Sequence, residues 1–433
     1  MAQRVDTAVV ELWGAEIGAV TWDSQRELAV FQYTPEFVGS GIQLAPLTMP
    51  LGHQPYSFPA LPSETFKRLP GLLADVLPDK FGTALIDKWL VKEGIRKEEF
   101  SPVDRLCYIG RRGMGALEFK PAIDRNAAQQ DHPLDIDAMV NVASKILQER
   151  ESLRGELVEE STLADILHVG SSAGGARAKA VIAWNKTSNE VRSGQISLPQ
   201  GFEHWIIKFD GVSNNRDKEL ADAQGYGQME YAYYRMAVDA GIEMSECRLL
   251  KENDRHHFMT RRFDRTRDGL KLHMQSLCAL EHFDFNMPGA YSYEQAMTTA
   301  NKLNLGRSAL EQLFKRALFN IMARNQDDHV KNIAFLMDAT GEWNLAPAFD
   351  LTFSYNPQGE FTRLHQMSFN GKRDGFTQSD FYDVARQFGI KKSRASTLID
   401  EVVNGIKNWQ MYALEAGVEE DRILSRKKLH RIV

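Results

Sequence analysis

Asn325-Gln326-Asp327-Asp328-His329-Val330-Lys331-Asn332, followed eighteen positions after Asn332 by Asp350 in Ala346-Pro347-Ala348-Phe349-Asp350, decides how the rest of this 433-residue chain is read. Phosphoryl-transfer catalytic loops use an Asp to hold the acceptor hydroxyl, an Asn five residues later to bind magnesium, and a later Asp to bridge metal and phosphates. Asp327, Asn332 and Asp350 follow that order and that first spacing. Upstream, Leu310, Leu313, Phe314, Ala317, Leu318 and Ile321 recur at helical intervals, which predicts an amphipathic helix over Ala309 to Arg324. Downstream, Ile333-Ala334-Phe335-Leu336 reads as a buried strand, so the polar cluster is a helix-to-strand turn. A hard cation that keeps several waters needs only an amide and a carboxylate there, with phosphates supplying the rest. The same residues also suit a capped, solvated loop, so other segments have to decide.

Composition narrows the classes. The chain is 43% hydrophobic and 25% charged, an ordinary globular balance and enough length for two or three domains. A net charge of -6 argues against a surface that is basic throughout, as nucleic-acid or membrane binding would favour. The C-terminal run Arg422, Arg426, Lys427, Lys428 and Arg431 reads first as a solvated helix face whose cations suit the helix C-terminal dipole. Cys107, Cys247 and Cys278 are widely spaced and odd in number, which indicates neither a disulfide framework nor a zinc site. The start lacks the order of a signal peptide and no run of about 18 apolar residues occurs. A cytoplasmic protein without a membrane partner is expected.

The expected architecture is α+β. Residues 1–125 read as a small subdomain with strands at Thr7 to Trp13 and Leu28 to Tyr33, a turn at Gly14, and helical pieces at Pro70 to Leu73, Lys80 to Val91 and Pro102 to Ile109. Arg125 to Pro133, rich in Asp, Gln and Asn, is the linker candidate. Residues 126–268 form a mixed, β-rich lobe with strands at Ala180 to Trp184, His204 to Phe209, Cys247 to Lys251 and His257 to Phe263, and a helix from Gly225 to Ala240. Residues 269–433 read as almost wholly helical apart from short strands at Asn332 to Met337 and Trp343 to Leu345. A β-rich lobe before a helical one, with the chemistry opening the second, is a bilobal kinase plan.

Three further elements fit that plan. Gly170-Ser171-Ser172-Ala173-Gly174-Gly175 is rich in small residues that let backbone N–H groups approach phosphate, though it lacks the Gly-Lys-Ser/Thr of a P-loop. Lys208 closes the strand Trp205-Ile206-Ile207-Lys208, and Glu230 follows on a helix; a strand Lys on the phosphates, oriented by a helix Glu, is a recurring kinase device. Arg261-Arg262-Phe263-Asp264-Arg265 falls where a linker between lobes would read adenine, with Arg262 and Phe263 as its contacts.

Taken together, these motifs resemble the HipA family, the serine/threonine kinase toxins of bacterial toxin–antitoxin pairs. The resemblance spans nearly the whole chain. In the first part it rests on Leu72-Leu73-Ala74-Asp75-Val76-Leu77-Pro78-Asp79-Lys80-Phe81-Gly82 and Asp104-Arg105-Leu106-Cys107-Tyr108-Ile109-Gly110-Arg111-Arg112-Gly113-Met114-Gly115; later on the Gly-rich loop, Ile206-Ile207-Lys208, Arg262-Phe263-Asp264-Arg265, the Asp327–Asn332 loop and Phe349-Asp350. It implies ATP- and Mg2+-dependent phosphorylation of a protein Ser or Thr. Asp327 would face the acceptor hydroxyl, Asn332 and Asp350 would hold the metal, Lys208 the phosphates, and His329 and Lys331 would brace the loop or the transferring group. It also implies autophosphorylation at Ser171 or Ser172, which ejects the Gly-rich loop, an aminoacyl-tRNA synthetase among the substrates, and a HipB-like helix-turn-helix antitoxin dimer carrying the contact with operator DNA.

Two other classes remain open from sequence: a co-repressor in an antitoxin–operator complex whose catalysis has been lost, and a small-molecule kinase of related fold. Nothing in a binding scaffold requires Lys208, Asp327, Asn332 and Asp350 together.

Overall fold

Trp13 and Gly14 both take positive φ, 50° and 82°, the left-handed pair that lets a two-residue hairpin keep the strand twist. Strand β1 (Thr7–Leu12) turns back there into β2 (Ala15–Asp23), with Leu12 opposite Ala15. The computed structural model describes residues 4–123, 133–148, 160–170, 177–195, 198–212 and 224–432. The chain forms two compact units, one of Met1–Gln224, Leu250–Gln275 and Met337–Glu342, the other of Gly225–Leu249, Ser276–Leu336 and Trp343–Val433.

In the first unit, β3 (Leu28–Tyr33) and β4 (Leu117–Lys120) complete an antiparallel sheet in the order β3-β2-β1-β4. Between β3 and β4 in the chain lie helix α1 (Lys80–Lys92) and α2 (Pro102–Ile109), which starts on a capping box in which Ser101 and Asp104 satisfy each other's backbone N–H. A second sheet carries β5 (Lys179–Asn185), β6 (Val191–Ser193), β7 (Phe202–Lys208) and β9 (Arg255–Arg261), neighbours in the order β6-β5-β7-β9. Strand β8 (Cys247–Glu252) precedes β9. Ile182, Trp205, Ile207 and Met259 share one buried cluster with Phe81 and Leu85 of α1, Met139 and Ala143 of α3 (Ile136–Gln148), and Ile166 of α4 (Glu160–Gly170). Burying such side chains contributes about 1.5–3 kcal/mol each. Lys208 therefore closes a strand that Trp205 and Ile207 fix by packing.

The second unit is mainly helical: α5 (Tyr226–Asp239), α6 (Tyr293–Lys302), α7 (Gly306–Ala323), α8 (Gln378–Gln387), α9 (Lys392–Lys407), α10 (Trp409–Glu415) and α11 (Glu420–Leu429). Helix α7 packs on α6 and α9, and α5 on α9 and α10. At Gly405 a Cβ would stand 2.7 Å from the Met236 carbonyl oxygen, so only glycine permits this approach of α9 to α5. Helix α7 departs from the amphipathic expectation, for from Gln312 to Ala323 it is buried on every side. Its polar residues fasten neighbouring chain: Gln312 donates to the Gly241 carbonyl at 3.0 Å and Arg316 to that of Ala346 at 2.8 Å.

Most expected elements lie within a residue or two of their positions. The difference is greatest after Leu270, where His273–Ser276 is a strand and residues 346–377 form no regular helix. That irregular segment folds over the catalytic-loop candidate. Among the described residues no helix is long and apolar enough to cross a membrane, and the three cysteines are buried and not joined in a disulfide.

Candidate active site

The site begins where α7 ends. Arg324 adopts φ 61°, its N–H closing on the Asn320 carbonyl, and the chain leaves the helix as the polar turn. The sharp exit is braced from several sides. The Arg324 guanidinium lies 4.0 Å from the centroid of the Tyr355 ring and donates to the Leu429 carbonyl at 3.0 Å, while Ser354 N donates to the Arg324 carbonyl at 3.1 Å. Asn325 then donates to Asn320 Oδ1 at 3.0 Å and to the Asp350 carbonyl at 3.4 Å, and accepts from Ser354 Oγ at 3.1 Å. One amide thus ties the turn to the backbone of Asp350, which holds the left-handed φ of 54° rarely taken by a residue with a side chain.

The paired carboxylates of the turn face opposite ways. Asp328 is 2% exposed, and its oxygens accept three hydrogen bonds: Tyr293 Oη at 2.8 Å, His365 Nδ1 at 2.7 Å and Gln366 N at 2.8 Å. The Tyr293 hydroxyl accepts in turn from Asn320 Nδ2 of α7 at 2.8 Å. Burial first, then the neighbouring Asp328 carboxylate, push the Tyr293 phenol well above its ordinary pKa, so it stays a donor. Asp327, by contrast, keeps 43% of its side chain exposed. Its Oδ1 accepts from Gln366 Nε2 at 2.6 Å, and His329 Nε2 stands 3.9 Å away. Asn332 closes the loop by donating Nδ2 to the Asp327 carbonyl at 3.0 Å. Lys331 places its ammonium 5.1 Å from the Phe285 ring centroid, and the His329 ring lies 5.6 Å from the same ring.

Of the sequence-predicted residues, Asp327, His329, Lys331 and Asn332 therefore share one turn, with Asp350 tied to it through Asn325. Glu230 lies on α5, 2% exposed. Lys208 ends β7 opposite Phe258 of β9, its ammonium 5.6 Å from that ring's centroid. Ser171, Ser172, Ala173, Gly174 and Gly175 lie outside the described residues.

Arg262 is turned inward. Its guanidinium forks onto Asp264, Nε to Oδ1 at 2.9 Å and Nη2 to Oδ2 at 2.7 Å, and its backbone N–H donates to the His204 carbonyl at 3.0 Å. Burial alone would raise the Asp264 carboxyl, but the Arg262 and Arg265 charges hold it well below the usual carboxylate range. Asp264 Oδ2 also accepts from Gly115 N at 2.7 Å, and Arg265 donates to the Gly115 carbonyl at 3.0 Å. The side chains of this motif thus clamp the Gly113–Gly115 turn. The neighbouring Arg261 pairs with Glu203 at 3.5 Å. The C-terminal basic run is likewise partly committed within the fold: Arg426 lies 4.3 Å from the Phe353 ring centroid and Lys427 donates to Gln410 at 2.9 Å.

For Mg2+ the donor chemistry fits. Bonding through Nδ2 leaves the Asn332 amide oxygen as a ligand, and the half-buried Asp350 adds a carboxylate. Among the described residues no group of three His, Cys, Asp or Glu could hold a metal. An ion bound by few protein oxygens and completed by water and phosphate suits magnesium.

The HipA-like C-terminal domain family matches residues 171–410, and the HipA N-terminal domain family residues 8–120. The chain belongs to the HipA family. Its fold is the mixed α+β fold of HipA: the HipA–HipB–operator DNA complex of the Shewanella oneidensis MR-1 toxin–antitoxin system aligns at TM-score 0.66 and 18% identity, over 97% of this chain and 95% of that one. The Helicobacter pylori proinflammatory kinase CtkA aligns over 52% of this HipA-family chain and 91% of its own, at TM-score 0.32 and 12% identity, too low to carry weight. No curated protein sequence matches. Gln366, His365 and Tyr293 are the site residues that sequence reasoning missed; each is a long-range partner of the turn.

Proposed function

We propose that this chain is the kinase toxin of a type II toxin–antitoxin pair, transferring phosphate from ATP to a Ser or Thr of a protein. The observation that carries the reading is Asp327: a partly exposed carboxylate held by Gln366, on a turn whose Asn332 is bonded to its backbone. A carboxylate so placed can take an acceptor hydroxyl's proton as that oxygen bonds to the γ-phosphorus and the bond to the bridging oxygen of ADP breaks. Asn332 and Asp350 would hold Mg2+, which when bound would neutralise charge on the phosphates. Lys208, with Glu230 as its helix partner, would meet the nucleotide phosphates, and His329 and Lys331 would brace the loop. The backbone around Phe263, rather than the committed Arg262 side chain, would border the adenine.

On the same reading, the chain comprises an N-terminal subdomain to residue 125, a nucleotide lobe to 268 and a helical lobe beyond, in the bilobal kinase plan. Phosphate on Ser171 or Ser172 would add about -1.5 to -2 charges to the loop meant to cradle ATP and so expel it. Family membership supports a HipB-like antitoxin dimer as partner, with operator DNA reached mainly through it, a cytoplasmic setting, and a translation component such as an aminoacyl-tRNA synthetase as substrate. Incubation with Mg-ATP followed by phosphopeptide mass spectrometry tests the reading. Phosphate on Ser171 or Ser172, and on Ser or Thr of a co-incubated protein, is expected; absence of any transfer would remove the kinase assignment, whereas absence from Ser171 and Ser172 alone would remove only the self-inhibition by the loop.

A further inference from the structure

We propose that Gln366 is a positioning residue for Asp327, an inference that rests on the phosphoryl-transfer reading of this site. Gln366 is 5% exposed, and three of its polar groups are committed. Its backbone N–H donates to Asp328 Oδ1 at 2.8 Å, its carbonyl accepts from Gly289 N at 2.7 Å, and its side-chain Nε2 donates to Asp327 Oδ1 at 2.6 Å. Asp328 is itself fixed by Tyr293 and His365, and Tyr293 by Asn320 of the buried helix α7. A continuous chain of contacts therefore runs from the core to one oxygen of the partly exposed carboxylate.

Asp327 needs such a hold because its side chain is partly in solvent, 43% exposed, where the carboxylate plane would otherwise rotate. Fixing Oδ1 leaves Oδ2 to meet an acceptor hydroxyl in a set orientation, and a base within about 3–3.5 Å and in line is what makes transfer effectively unimolecular. The donor's neutrality matters as well. A Lys or Arg in its place would compete for the negative charge that takes the proton, whereas an amide orients the carboxylate and adds no formal charge. The titratable groups facing this pair are His329, 3.9 Å from Asp327 Oδ1, and the Asp328–His365 pair beneath it.

The test compares the unsubstituted chain with Gln366→Leu and Gln366→Glu, using γ-labelled ATP and label incorporated into the chain itself and into casein. Gln366→Leu should lower kcat about 10- to 100-fold with the KM for ATP within about twofold, since misplacing a reacting group penalises the transition state rather than nucleotide binding. Gln366→Glu preserves shape but replaces the donor by an acceptor, so it should lower kcat at least as far, again with the KM for ATP within about twofold. A merely structural role would leave this shape-preserving variant at the unsubstituted kcat. If Gln366→Leu fails to fold, the isosteric Glu variant decides alone. Unchanged kcat in Gln366→Leu or in Gln366→Glu overturns the positioning role and leaves the kinase reading standing. No transfer by the unsubstituted chain overturns both.

Discussion

Replacing Asp328 by Ala should loosen the catalytic turn far more than its position beside Asp327 suggests. The substitution leaves three buried donors, Tyr293 Oη, His365 Nδ1 and Gln366 N, without the acceptor they share. An orphaned buried donor costs about 1–3 kcal/mol. The void left by the carboxylate has polar walls and can admit a water that satisfies part of the demand, which brings the expected loss to about 3–5 kcal/mol rather than the full sum. Asp328→Asn keeps the volume and one acceptor oxygen, which can serve Tyr293 and His365, but faces an N–H toward Gln366 N, so it should lose less than Asp328→Ala. Packing and hydrogen bonding are thereby separated. Native-state hydrogen exchange read by mass spectrometry over residues 291–295 and 365–369 measures the opening free energy of the segments concerned without requiring two-state unfolding. A double-mutant cycle with Tyr293→Phe should be non-additive, because both changes remove the same bond. A loss below about 1 kcal/mol in both Asp328 variants, or strict additivity with Tyr293→Phe, would refute the idea that Asp328 anchors the turn.

Asn332→Ala and Asp350→Ala should each abolish Mg2+-dependent transfer while circular dichroism stays unchanged, because each removes an oxygen ligand, Asn332→Ala also losing the bond to the Asp327 carbonyl; normal rates would dismiss the metal assignment. Lys208→Ala should weaken ATP binding or slow transfer by loss of a charge near the phosphates, and unchanged affinity and turnover would return it to a strand end. Asp264→Asn should destabilise the first unit by about 3–5 kcal/mol, since it strands the buried Arg262 and Arg265 charges. The Asp264 carboxyl is depressed in the fold, so its contribution is complete above the unfolded value of about 3.9 and is withdrawn as pH falls below it. Acid titration of unfolding should show that slope in the unsubstituted chain and a shallower one in the Asn variant.

Much of the site was legible in sequence because its order is local. The spacing of Asp327 and Asn332, the helix before them and the strand after them need only a dozen residues of context. Helix α7 was found from Leu310, Leu313, Phe314 and Ile321, yet its burial on every side was not, because Gln312, Arg316 and Asn320 read as a wet face until their partners 241, 346 and 293 come into view. Gln366 and His365 were missed for the same reason. They lie in a stretch without periodicity and act on the turn across almost forty residues, a separation that no propensity or spacing registers. Arg262 was read as a nucleotide contact from its place between strands; only the fork onto Asp264 shows that its charge is committed to the Gly113–Gly115 turn. Strand β2 escaped notice because Ala15, Gly18 and Ala19 are small, and register with β1 and β3 rather than propensity holds it.

The most direct measurement is phosphate transfer from γ-labelled ATP in the presence of Mg2+ by the unsubstituted chain and by Asp327→Asn, a change that keeps the shape of the side chain and removes the base. The partly exposed, Gln366-held carboxylate predicts labelled Ser or Thr with the unsubstituted chain and loss of about 10²–10⁴-fold in rate with Asp327→Asn, with ATP affinity preserved. Equal rates in the two, or no transfer in either, would contradict it.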